Sequence, residues 1–260
     1  MLARYSPNRM SGTISIASIR HFPIYEDSCL ILLTQMGRTI AIGDIHGCHR
    51  ALEALLQTLA LKRDDLVVAL GDYVDRGENS AVVIDMLIGL LTKCRFVPLI
   101  GNHEIMMFQG LNNRNEYQFW MQHGGLTTIM SYGGNPQNIP QDHMTFLSHC
   151  VRYHETDKYI FVHANYDPWL PMAGQPDEML FWQHILDIVP PPHESGKTVI
   201  AGHTPQADGM IRNLGHVMVI DTFCYGDQWL TAVDLDNDIC WQANNRGEVR
   251  KSQIPVAVPS

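Results

Sequence analysis

The chain has 260 residues, 45% hydrophobic and 17% charged, enough apolar material for one large core and for one domain rather than two. A formal net charge of −9 and a pI near 5.7 argue against a nucleic-acid or anionic-membrane partner, because a phosphate-rich surface repels such a chain. The six cysteines (Cys29, Cys48, Cys94, Cys150, Cys224, Cys240) form no C-x-x-C pair, which fits buried thiols in a reducing, cytoplasmic compartment better than a disulfide frame.

Residues 1–35 carry Arg4, Arg9, Arg20 and several serines, with no acid before Glu26. This stretch is expected to be a poorly ordered extension ahead of a catalytic domain over 36–260, in preference to a transit peptide. Its apolar run Cys29-Leu30-Ile31-Leu32-Leu33 is too short for a membrane helix, which needs roughly 20 residues. The runs Thr39–Ile42, Leu66–Leu70 and Arg95–Ile100 are short, continuous and ended by glycine, as buried parallel strands are. Apolar residues at helical spacing follow the first two: Leu52, Leu55, Leu56 and Leu59, then Val82, Val83, Met86, Leu87 and Leu90. These predict the crossover helices of βαβ units, the second capped by Asn79 or Ser80. Residues 104–150 hold no clear strand and predict a helical cap beside the site, broken at Gly124-Gly125 and Gly133-Gly134. Strands return at Tyr159–Val162 before His163, Thr198–Ala201 before His203, His216–Ile220 and Trp229–Leu235.

Polar clusters follow the first three strands: Gly43-Asp44-Ile45-His46-Gly47, Gly71-Asp72-Tyr73-Val74-Asp75-Arg76-Gly77 and Gly101-Asn102-His103-Glu104. Ligands bind beyond the carboxyl ends of parallel strands, so all three sets are expected in one crevice. Asp44 and His46, two residues apart, point to the same side of extended chain and suit a first divalent cation. Asp72 can bridge to a second with its two oxygens, and Asn102, His163 and His203 complete that ion's ligands. The mixed nitrogen and oxygen donors favour manganese, with iron or zinc as alternatives. Two such ions would polarise a phosphoryl oxygen and turn a bridging water into hydroxide for in-line attack. His103, next to a ligand but outside the coordination sphere, is the expected general acid. Asp75 would orient its ring and raise its pKa, and Arg76 would grip two phosphate oxygens as a fork.

The motifs GDxHG, GDxVDRG and GNHE, all present without substitution, resemble those of the calcineurin-like metallophosphoesterases, and within them the PPP-type serine/threonine protein phosphatases. Phe119-Trp120, Gly124-Gly125 and Ser131-Tyr132-Gly133 are similar to the bacterial and phage branch, which includes symmetrical diadenosine tetraphosphate hydrolases. The resemblance, from about Arg38 to Leu235, implies an α/β fold built as a two-sheet β-sandwich flanked by helices. It also supports the metal, His103, Asp75 and Arg76 roles. The chain departs from the pattern at Asn165, at Gln183 where an arginine is usual, and at Phe223 where glycine is usual.

The expected function is metal-dependent hydrolysis of phosphoserine or phosphothreonine in proteins, with dinucleoside tetraphosphate or another small phosphoester as the alternative substrate. A silent binding scaffold is a reading of another class; such relatives normally lose a ligand or the acid, and neither is lost here.

Overall fold

The computed structural model describes residues 37–258; the expectation for residues 1–35 lies outside the described residues. In chain order the elements are β1 (Thr39–Ile42), α1 (His49–Leu59), β2 (Leu66–Ala69), α2 (Ser80–Leu90), β3 (Arg95–Pro98), α3 (Asn102–Asn112), α4 (Arg114–Trp120), α5 (Leu126–Ser131) and α6 (Gln141–Ser148). There follow β4 (Tyr153–Glu155), β5 (Tyr159–Val162), α7 (Asp177–Phe181), β6 (Thr198–Ala201), β7 (Arg212–Asn213), β8 (Val217–Val219), β9 (Leu230–Asp234), β10 (Ile239–Ala243) and β11 (Val249–Gln253).

The strands form two sheets, ordered β11-β10-β9-β1-β2-β3 and β4-β5-β6-β8-β7. Alternation along each strand explains why two sheets must stack. Ile40 and Ile42 of β1, with Val67 and Ala69 of β2, pack beneath α1, α2 and the cap helices. Ala41 and Val68 point the other way and meet Phe161, Ile200 and Met218 of the second sheet. Ile160, Val162, Val199 and Ala201 line that sheet's outer face, where Leu180 and Phe181 of α7 cover them. Both faces of the central strands are therefore apolar, and their near-continuous hydrophobic runs follow from that.

The crossover helices lie where spacing places them. Leu52, Leu55 and Leu59 are buried in α1, and the Asn79 side chain accepts from Val82 N to cap α2. In α2 the buried stripe is Val83, Ile84, Leu87 and Leu90, rotated slightly from the expected one because Val82 and Met86 turn towards its rim. Strands β1, β2 and β3 run parallel, as do β5, β6 and β8. Their following loops carry the polar clusters. Among the described residues no helix is long and apolar enough to cross a membrane.

Candidate active site

The loops after β1, β2 and β6 bend sharply. His46, Asp72, Asp75 and Arg76, together with His203 after β6, all have positive φ, between 46° and 71°. Such backbone is costly for non-glycine residues and collects at functional sites. Here Glu104 holds much of it: its Oε1 accepts from Tyr73 N at 2.7 Å and Val74 N at 3.2 Å, and its Oε2 from Asp72 N and Gly101 N, each at 2.9 Å. One carboxylate thus ties the β2 loop to the start of α3.

Asp72 lies at the centre of the histidines. His46 Nε2 is 3.4 Å from its Oδ2 and His163 Nε2 is 3.5 Å from its Oδ1. Each ring is oriented by a backbone carbonyl: His46 Nδ1 donates to Val74 O at 2.9 Å, His163 Nδ1 to Leu70 O at 2.8 Å, and His203 Nε2 to Trp182 O at 3.0 Å. A carbonyl can only accept, so the proton sits on that nitrogen and the other nitrogen turns a lone pair inward. Two sets of donor atoms result, each drawn together within 4.8 Å: His46, Asp72 and His103, and Asp72, His163 and His203. Asp72 belongs to both.

The Asn102 oxygen lies 3.1 Å from His163 Nε2, 3.3 Å from His203 Nδ1 and 3.2 Å from each Asp72 oxygen. Such an acceptor-only cage is repulsive unless a cation fills it or the amide turns its NH₂ inward. Asp44 is buried beside it, with Oδ2 accepting from His203 N at 2.9 Å and Oδ1 without a partner. Burial, Asp221 and Asp72 push Asp44 well above the usual carboxylate range. Burial likewise pushes Asp72 and Asp221 up to about 7. Burial lowers His46 well below its ordinary value, His163 to about 4 and His203 to about 2. Neutral imidazoles, crowded carboxylates and an unpartnered carboxylate oxygen together demand positive charge, and they fit divalent cations.

His103 stands to one side. Its Nδ1 is 2.7 Å from Asp75 Oδ2 and its Nε2 is 4.0 Å from Asp72 Oδ2. Asp75 also accepts from Trp120 Nε1 at 2.9 Å and from Thr128 Oγ1 at 2.7 Å. The cap helices therefore hold the residue that orients His103. Gly124, at φ 108°, lets the cap touch Arg76, where an added Cβ would come within 2.8 Å of Arg76 Cγ. The expected rise in the His103 pKa is not found. Burial, then the Arg76 guanidinium, push it well below the ordinary imidazole value, and burial pushes the neighbouring Asp75 carboxyl up to about 7.

All nine sequence-derived residues meet in this crevice. His103 Nε2 also lies within 4.8 Å of the His46 and Asp72 donor atoms, and Asp44 Oδ2 accepts from His203 N. Gln183 is half-buried, and its neighbour His184 lies against His203, the ring centroids 4.8 Å apart. Sequence reasoning gave no role to Glu104, Trp120, Thr128, Asp221 or Tyr225. Only Glu104 carried a local signal, its spacing of three from Gly101 at a helix start.

The model of the calcineurin-like phosphoesterases matches residues 37–228. The chain belongs to this family. It is 30% identical over 129 residues to serine/threonine-protein phosphatase 2 of Salmonella typhimurium, covering 48% of this chain and 57% of that protein. It is 35% identical over 113 residues to the symmetrical bis(5'-nucleosyl)-tetraphosphatase of an Acidovorax species, covering 36% of this chain and 39% of that protein. The matches thus span roughly half the length of these curated relatives or less. Among solved structures, the cold-active protein-tyrosine phosphatase of a psychrophilic Shewanella shares the fold, with a TM-score of 0.58, 15% identity, and coverage of 84% of this chain and 81% of that one.

Proposed function

We propose that the chain is a metal-dependent phosphoric ester hydrolase acting on phosphoserine and phosphothreonine in proteins. The observation that carries this reading is Asp72 shared between two sets of inward-facing donors, one of which includes His103 Nε2, with Arg76 beside them. His46 and Asp44 would hold one divalent cation, Asn102, His163 and His203 a second, and Asp72 both. Manganese suits these nitrogen and oxygen donors, and iron or zinc is the alternative. When bound, the pair supplies Lewis-acid polarisation of the phosphoryl group and an activated water.

The chain's own residues supply the rest. Arg76 is half-buried with its guanidinium at the His46 edge of the crevice, Nη1 3.2 Å from His46 Nε2, and offers two donors to a phosphate. His103, oriented through Nδ1 by Asp75, presents Nε2 to the leaving oxygen and acts as general acid once the negative charge of the bound phosphate offsets the burial that lowers its pKa. Trp120 and Thr128 fix Asp75, and the apolar cap excludes water behind the pair. The described cysteines are free thiols, in keeping with a reducing cytoplasmic setting.

A monoester needs little more than Arg76 and the cations, whereas a tetraphosphate needs several basic groups. With Lys and Arg numbering 18 against 27 acids, the monoester is favoured. The second reading, dinucleoside polyphosphate hydrolysis, draws support from Phe223 and Tyr225, two aromatic rings beside Arg76 that could take a base. Initial rates with added manganese against a phosphopeptide panel, diadenosine tetraphosphate and an aryl phosphate decide between them. The phosphopeptides should show the highest kcat/KM; a clear preference for the dinucleotide would replace the leading reading with the second.

A further inference from the structure

Arg76 has few restraints for a residue meant to grip phosphate. Its Nη1 donates to His46 Nε2 at 3.2 Å, and its guanidinium carbon lies 4.4 Å from the centre of the Tyr225 ring. A cation taking the His46 lone pair removes the first contact. The Tyr225 face is then the contact that holds the guanidinium.

Tyr225 is itself wedged between two rings. It meets His46 at 4.6 Å and 81°, and Phe223 at 4.6 Å and 69°, both edge to face, a favoured aromatic geometry. Phe223 takes this position from a left-handed backbone, φ 61° and ψ 43°, which an aromatic residue rarely adopts. Its ring lies over Gly226, where any Cβ would collide with it. A strained, half-buried aromatic at the end of the crevice has no evident value to the core, and such strain persists where a site uses it.

We infer that Phe223 and Tyr225 form an aromatic brace that positions the Arg76 guanidinium for the substrate phosphate. Phe223 backs Tyr225, and Tyr225 presents its face to Arg76 by a cation–π contact. Both act through Arg76 and are positioning residues. The inference rests on the reading of Arg76 as a phosphate contact.

The test uses the full-length, manganese-loaded chain, with inorganic phosphate as a competitive inhibitor of aryl phosphate hydrolysis, elemental analysis and melting temperature. Tyr225→Leu should weaken phosphate and raise KM by roughly 3- to 10-fold, the scale of a partly buried cation–π contact, with kcat within about threefold and bound metal unchanged. Tyr225→Phe keeps the ring and should restore phosphate affinity. Phe223→Gly accepts the left-handed backbone without strain, so its melting temperature should hold while phosphate weakens by roughly 2- to 5-fold. A purely structural pair gives the opposite pattern, a lowered melting temperature with unchanged phosphate affinity, and overturns the inference. So does metal loss in Tyr225→Leu. Arg76→Ala separates the two layers. If it leaves phosphate affinity unchanged, the reading of Arg76 falls and the brace with it; if it weakens phosphate while Tyr225→Leu and Phe223→Gly do not, the brace alone is wrong. Should Tyr225→Leu fail to fold, Phe223→Gly and Tyr225→Phe still separate a brace from a purely structural pair.

Discussion

Thr128→Val tests whether the cap helices hold the catalytic pair. The Thr128 hydroxyl donates to Asp75 Oδ1 at 2.7 Å and accepts from Asp75 N at 2.8 Å, in a fully buried position. Valine keeps the shape, so the lost hydrogen bonds decide the outcome. One goes to a carboxylate, which contributes about 1.5–3 kcal/mol. The other two are neutral, from Asp75 N and with Ser80 Oγ at 3.0 Å, and contribute about 0.5–1.5 kcal/mol each, reduced here because Asp75 N and Ser80 Oγ keep each other at 3.2 Å. The expected destabilisation is therefore about 2–4 kcal/mol, read as a lower urea midpoint at constant m-value. Asp75 keeps Trp120 Nε1 and the 2.7 Å contact with His103, so kcat should fall by only roughly 3- to 30-fold, well short of the hundredfold that an ångström of misplacement can cost. Thr128→Ser should retain most of both. A Thr128→Val chain with stability within about 0.5 kcal/mol of wild type and normal kcat would refute the claim that the cap orients His103 through Asp75.

Two further outcomes follow from the same geometry. His103→Asn should keep its metals and lose roughly 10²- to 10⁴-fold in kcat on a poor leaving group, with a smaller loss on an aryl phosphate; equal losses would assign His103 to positioning rather than proton transfer. In the metal-free chain burial holds Asp72, Asp75 and Asp221 up to about 7 and Glu104 up to about 8, so the folded state keeps protons that the unfolded state releases near pH 4. The carboxyl contribution is then fullest below pH 4 and is lost as pH rises towards 7 to 8, whereas His46, His103, His163 and His203, held neutral by burial, contribute stability that is lost as pH falls below about 6.5, so the two offset each other up to that pH. After chelation the melting temperature should fall between about pH 6.5 and 8 and manganese should flatten the trend; a rise over that range in chelated protein would contradict the charge reading of the site.

The parallel strands and their loops were legible because buried strands force continuous apolar runs, and because site chemistry needs Asp, His and Asn at their ends. Thr39–Ile42 and Thr198–Ala201 fall where those runs predict. Strands β10 and β11 were not legible. Ile239–Ala243 is almost wholly buried but follows an acidic turn and carries no apolar alternation, and Val249–Gln253 is exposed throughout, so neither has a strand pattern in its sequence. In the site, the residues of the short motifs come together in one crevice as their strand-end positions predict, whereas Asp221 and the residues that act through another had no place in the reading. Thr128 and Trp120 reach Asp75 across 53 and 45 residues of chain, and Tyr225 reaches Arg76 from the far end of the domain. Such long-range contacts leave no local pattern. The His103 pKa escapes sequence reasoning for a related reason: the partner Asp75 is visible in the motif, but the depth of burial that lowers the pKa is not.

The central claim is that Asp72 joins two cations, and elemental analysis of purified wild type and Asp72→Asn chains, reconstituted with manganese, tests it most directly. Wild type should hold two ions per chain. Asp72→Asn should lose metal and turnover together while its circular dichroism stays native. An Asp72→Asn chain that keeps both ions and near-normal turnover would contradict the account.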